Sequence, residues 1–383
     1  MSINEIIIFI MMIFMVLGAI DRILGNKYGL GEEFEEGFNA MGPLALAMVG
    51  VVSLAPVLAK VLGAVITPIY QFLGADPAMF ATTLLANDMG GYPLALELAI
   101  DPQAGLFAGI ILGAMMGPTI VFSIPVALGI IEKEDRGWLA MGMLAGFITI
   151  PLGCIAGGLV AGWNLGFILQ NLVPVVIVAA LIAFGLWRFP ETMTRGFEIF
   201  GRGVVIMITI GLAAIVWEEM TGIVIIPGMA PVWDGIEIVG AIAIMLIGAF
   251  PMVKVFVKVA EKPLKSLGKM VGMNDVAAAG MVATLANNIP MFALMKDMDN
   301  RGKVLNSAFA VSAAFTFGDH LGFTAGVEPD LIFAMVVGKL VAGITAVAVA
   351  MLIAPSSEPV PAPEDASAPV DVPKPPLSEE LQE

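Results

Sequence analysis

Nine stretches of this chain, at about residues 4–24, 40–60, 104–131, 138–162, 166–187, 203–219, 235–257, 304–326 and 331–353, are apolar and near the length of roughly 20 residues that a helix needs to cross a bilayer. Backbone in lipid must satisfy its own N–H and C=O groups, so such stretches can only be helices. Charged residues make up 13% of the 383 and the mean hydropathy is +0.95; a soluble domain carries about 25% charge. The chain therefore reads as an all-α polytopic membrane protein. The abundant glycine, 43 residues, suits close helix packing in lipid. Ser2-Ile3-Asn4-Glu5 puts no basic run ahead of the first apolar stretch, which predicts a retained span rather than a cleaved signal.

Two apolar segments, about 77–99 and 275–298, are left over because polar residues and turn formers interrupt them. The first contains Thr83-Leu84-Leu85-Ala86-Asn87-Asp88-Met89-Gly90-Gly91, and the second Thr284-Leu285-Ala286-Asn287-Asn288-Ile289-Pro290. Both read as re-entrant hairpins, a form lipid tolerates only where broken backbone is buried in protein or lines a cavity; the alternative is a pair of short crossings or a kinked span. At an offset of 200 the two copies align, with Asp88 opposite Asn288, and Glu97 meets Asp297. At 201, Met116-Gly117-Pro118-Thr119 faces Phe317-Gly318-Asp319-His320, which breaks a span in each half. The expected plan is two repeats, about 1–162 and 203–354, each running span, interfacial helix, hairpin, broken span, span. The interfacial helices are expected at Leu62–Leu73 and Lys258–Val271. An odd number of crossings separates corresponding spans, so the repeats are expected to be inverted. Paired interrupted segments in inverted halves mark the substrate site of many transporters.

Charge fixes the expected orientation. With the N-terminus outside, every basic residue but Lys60 and Lys339, among 18, falls on the inner side, as the positive-inside rule requires. The C-terminus is then cytoplasmic. Trp138, Trp163, Trp187, Trp217 and Trp233 all lie near expected span ends, where indole rings favour the interface. Residues 355–383, rich in Pro and acids with Lys374 as their only base, are expected to form a disordered cytoplasmic tail. The acidic balance, -15 overall, excludes a basic nucleic-acid surface.

Ionisable groups at membrane depth are costly and point to function. Here they are Asp88, Asp319, His320 and Lys339, with the neutral Asn87, Asn287, Asn288, Thr119, Asn306 and Ser312 nearby in sequence. Two carboxylates with several amides suit a small ammonium ligand, since a carboxylate accepts a charge-assisted hydrogen bond. Pairing with Lys339, or capping a broken helix, is the competing use of each aspartate. His320 reads either as a proton-carrying group or as a fixed hydrogen-bond partner. One His and one Cys, Cys154, do not make a metal set, and no cofactor is expected. No nucleophile elbow, phosphate loop or zincin motif is present, so no catalytic residues are assigned.

Longer runs add a family. Asn4-Glu5-Ile6-Ile7, Phe34-Glu35-Glu36-Gly37-Phe38, the stretch from Gly113 to Glu132, Ile150-Pro151-Leu152-Gly153-Cys154-Ile155-Ala156-Gly157-Gly158 and Ala278 to Leu321 resemble the ethanolamine utilization permeases of bacteria, the EutH family. One departure is the short connection Gly162-Trp163-Asn164-Leu165-Gly166, where the family often has a longer loop. The resemblance implies a permease of the inner membrane that brings ethanolamine, largely protonated, into the cytoplasm. The helical plan resembles that of concentrative nucleoside transporters, and by analogy each hairpin and broken span would move as an elevator. On this reading Asp88 and Asp319 hold the ammonium, Asn87, Asn287, Asn288 and Thr119 shape the site, and His320 orients Asp319. The alternatives are a proton- or sodium-coupled carrier of another small amine and a non-transporting scaffold subunit. A homo-oligomer, dimer or trimer, is open to such a chain.

Overall fold

The computed structural model describes residues 1–356, apart from the side chains at 261, 262, 264, 265, 267 and 269. The acidic tail expected from 355 onward thus lies almost wholly outside the described residues. Every regular element among the described residues is helical. In chain order these are α1 (Ile3–Ile23), α2 (Leu30–Asn39), α3 (Met41–Phe72), α4 (Ala78–Leu84), α5 (Gly91–Leu98), α6 (Pro102–Leu106), α7 (Met116–Pro118), α8 (Ile124–Ile130) and α9 (Arg136–Val160). There follow α10 (Leu165–Arg188), α11 (Pro190–Thr221), α12 (Val232–Met270), α13 (Asp275–Thr284), α14 (Ile289–Leu294), α15 (Asn300–Ala313), α16 (Asp319–Val327) and α17 (Ile332–Ile353). Seven helical stretches are long and apolar enough to cross a membrane, and an eighth when the bent pair Pro102–Leu112 and Met116–Ile130 counts as one. All five tryptophans sit in the first or last turns of helices or just past them.

Both leftover segments are helix–break–helix units whose arms pack on each other: α4 with α5, and α13 with α14. At about 1.5 Å per residue, the 10 residues of α13 reach about half of a hydrocarbon core. Each unit is followed by a broken helix; the first is the bent pair counted above, while the second, α15 and α16, expected as a span at 304–326, is not among those seven or eight. The first bends by 44° at Gly113–Met115, flanked by the π-helical turns Phe107–Leu112 and Thr119–Ser123. The second breaks between α15 and α16, with Phe315 at φ 63. A bulky side chain in the left-handed region is strained and persists only where surrounding structure holds it.

The two interfacial helices expected before the hairpins are not separate. Residues 62–72 continue α3 through Pro56 and Pro68, and residues 258–270 continue α12 through Pro251 and Pro263. Proline is tolerated inside membrane helices where neighbouring groups satisfy the freed carbonyl. The helices α3 and α12 pack against each other, α1 packs on α12 and α11 on α3, while α9 and α17 pair elsewhere. Helix α10 packs chiefly on α9 and also meets α11 and α4.

Candidate functional site

Each hairpin break is braced to a broken span through backbone. The Asn87 N–H donates to the Gly113 carbonyl at 3.0 Å. In the second half the Phe315 and Phe317 N–H groups donate to the Thr284 and Leu285 carbonyls at 3.1 and 2.9 Å. Polar backbone freed by the breaks is thereby satisfied away from lipid. Contact is close enough to require glycine. A Cβ at Gly117 would stand 1.9 Å from the Leu85 carbonyl oxygen, and one at Gly318 would stand 2.2 Å from that of Ala286. These two contacts equate positions at an offset of 201 on the hairpins as well as on the spans. Asn87 then matches Asn288, and Asp88 matches Ile289 rather than Asn288.

Between these breaks lies a cavity of about 690 Å³. Asp88 reaches it from the 3₁₀ turn Asn87–Met89 at the first hairpin tip, and Asp319 from the first turn of α16. Asn287 joins them, with Met89, Phe122, Ala286, Pro290 and Phe250 as apolar lining. Neither carboxylate has an ion-pair or side-chain hydrogen-bond partner among the described residues. At one end the cavity reaches Glu33, Glu36 and Lys254. Lys254 donates to Glu33 at 3.0 Å and to the Gly29 carbonyl at 2.9 Å. Their side chains stay 38% and 32% exposed, so this end is the mouth.

The other candidates stand behind this lining. Asn87 is fully buried, and neither of its side-chain polar atoms has a partner. Asn288 donates to the Ser123 hydroxyl at 2.7 Å, leaving its own oxygen unpaired. The Thr119 hydroxyl donates to the Val311 carbonyl at 2.8 Å, which ties one broken span to the other. His320 contacts Lys339 rather than Asp319: Nδ1 lies 2.9 Å from Nζ, and Nζ also donates to the Ala114 carbonyl. Far from the mouth, the Tyr92 hydroxyl donates to Glu328 at 2.8 Å and its ring packs edge-on against Phe323.

Sequence reasoning missed the mouth. The run Phe34-Glu35-Glu36-Gly37-Phe38 entered only through the family resemblance, although on the helix α2 Glu33 and Glu36 stand at i, i+3 spacing, which places both on one face. Pairing with Lys339, the competing use of each aspartate, is not seen: Lys339 contacts His320 and the Ala114 carbonyl, and the cation that lines the cavity of Asp88 and Asp319 is Lys254. The polar groups left unpaired around the breaks are the kind that a ligand or water satisfies.

Residues 3–353 match the family model described as ethanolamine utilisation protein, EutH. The chain is 67% identical over 354 residues to the probable ethanolamine permease EutH of Listeria monocytogenes, covering 92% of this chain and 95% of that protein. It is 54% identical to the probable ethanolamine permease EutH of Escherichia coli over 94% of this chain and 97% of that protein. The uncharacterized protein YxeR of Bacillus subtilis is also 54% identical, over 93% and 96%. No solved structure matches the chain. Identity at this level, sustained from the first helix to the last, means that the chain belongs to the EutH family of ethanolamine utilisation proteins.

Proposed function

We propose that the protein is a permease of the bacterial inner membrane that takes up protonated ethanolamine through the cavity between the two breaks. The observation that carries this reading is the convergence of Asp88 and Asp319, neither with an ion pair or side-chain hydrogen bond among the described residues, on one cavity with the amide of Asn287. An ammonium donates to carboxylates in charge-assisted bonds, and the amide can meet the substrate hydroxyl. The names of the Listeria and Escherichia relatives support the same substrate. Two inverted halves are supported by the order of elements, which runs twice through helix, long helix, hairpin, broken span and helix, and by the matching glycine contacts at offset 201. With the basic loops inside, the mouth at Glu33, Glu36 and Lys254 faces the cytoplasm, so the conformation is open inward. The Tyr92–Glu328 contact then belongs to the closed outer side. In this reading residues 1–354 form one transport domain.

The test is uptake of labelled ethanolamine at a pH low enough that little of the free base exists to diffuse. Asp88→Asn keeps the size of the side chain and removes its charge. It should abolish uptake while the protein is still made and inserted; uptake at the wild-type rate overturns the assignment. Purified protein in liposomes that carries no ethanolamine at all would favour a scaffold role. Imposed proton and sodium gradients in the same liposomes separate coupled from facilitated transport.

A further inference from the structure

We propose that the ring of Phe122 is the wall of the cavity on which the substrate ammonium rests, held there by a cation–π contact. The inference rests on the transport reading above and adds to it a side chain with no charge and no polar atom. Phe122 lies in the π-helical turn Thr119–Ser123 of the first broken span and lines the cavity together with Asp88 and Asp319. The face of an aromatic ring is negative and attracts a cation that comes within about 6 Å of the ring centroid. That attraction needs only the charge of the ligand, so it adds to whatever the two carboxylates supply.

A second aromatic residue, Phe250, lines the same cavity. What singles out Phe122 is how firmly it is held. The hydroxyl of the next residue, Ser123, accepts from Asn288 at 2.7 Å, which ties this turn to the tip of the second hairpin. The Phe122 ring meets that of Phe315 in a T-shaped contact, with centroids 5.7 Å apart and planes at 78°. Such a contact uses either an edge of the Phe122 ring or one of its two faces. At least one face is therefore left uncovered by Phe315, and the Phe122 side chain is only half-buried. Phe250 packs on no other ring among the described residues. The support behind Phe122 is itself strained: Phe315 is buried at φ 63, with its N–H on the Thr284 carbonyl. Backbone strain of this kind persists where surrounding structure enforces it, and it gathers at ligand clamps. Here it places one ring against another that forms the wall of the cavity.

The cleanest test changes the electrons of the ring and keeps its shape. Phenylalanines carrying one, two and three ring fluorines are placed at 122 by a suppressor tRNA, and the KM for uptake of labelled ethanolamine into proteoliposomes is measured at mildly acidic pH. Each fluorine weakens the negative face. KM should climb along the series, by about two- to thirtyfold with three fluorines, the range that cation–π contacts cover from exposed to desolvated sites. Phe122→Tyr should stay near the wild-type KM, and Phe122→Leu should raise KM at least as far as the trifluorinated ring. The same series at 250 should be flat. A flat series at 122 overturns the proposal, as does a slope at 250 with none at 122. If Phe122→Leu does not insert, the fluorinated rings still decide, because they match the parent ring closely in size. A wild type that takes up no ethanolamine sinks the transport reading instead.

Discussion

Asp88 and Asp319 face one cavity but stand on different supports. Asp319 opens the helix α16, where unpaired N–H groups and the positive end of the dipole favour a carboxylate. Asp88 sits in a single 3₁₀ turn, three residues ahead of the first residue of α5 rather than within a helix. The two acids are therefore not interchangeable, and the match of Asp88 with Ile289 leaves the pair asymmetric between the halves. A third acid shows what a structural carboxylate looks like in the same protein. Asp135 accepts from Lys303 at 2.6 Å, with side chains only 5% and 11% exposed, and pins the start of α15 beneath α9. Lys303→Met would leave Asp135 charged, buried and unpaired, at a cost of about 3–5 kcal/mol. A lowered unfolding midpoint in detergent checks this, and Lys303→Met with Asp135→Leu should recover much of the loss.

At the scale of elements, the hairpins and broken spans act as braced units. Gly318 and Gly117 let the break of a span lie directly on the backbone of a hairpin tip. Gly318→Ala must push the tip at Ala286 away, and Ala286 and Asn287 line the cavity. Overpacking of this kind costs about 1–3 kcal/mol. The expected outcome is a protein that inserts but transports poorly. Gly129→Ala, where an added Cβ meets nothing within 4 Å, is the matched control and should transport normally. These elements were largely legible in sequence, because a span needs a long apolar run and a break needs Asn, Asp, Gly or Pro. The braces were not, since Phe315 and Phe317 meet residues some thirty positions earlier through backbone alone. The interfacial segments misled in the other direction: Leu62–Leu73 and Lys258–Val271 read as separate helices, yet α3 and α12 run into them unbroken. Of the cavity lining, the two aspartates and Asn287 could be singled out from the rarity of polar groups in apolar sequence. The mouth on α2 could not, because acids on a short amphipathic helix look like any solvated face.

For the whole molecule, the arrangement ties orientation to use. On the proposed reading, a cavity open beside Lys254 would release substrate to whichever side holds the basic loops. Alkaline phosphatase fused after Gly222, in the connection between α11 and α12, should be active as it reaches the outside, while a fusion after Ala354 should be inactive. Reversed activities would turn the mouth outward. The lining also carries a consequence for how the protein is made. Asp88 enters the membrane with the first hairpin, but the walls opposite it, Ala286, Asn287 and Asp319, are about two hundred residues further along the chain. The bond from Thr119 to Val311 and that from Tyr92 to Glu328 likewise wait for the last third of synthesis. Until then the ribosome has delivered a hairpin with a carboxylate at its tip and nothing to close over it. The cost of that unpaired carboxylate at membrane depth therefore falls on the half-built chain, before the groups opposite it in the finished protein exist.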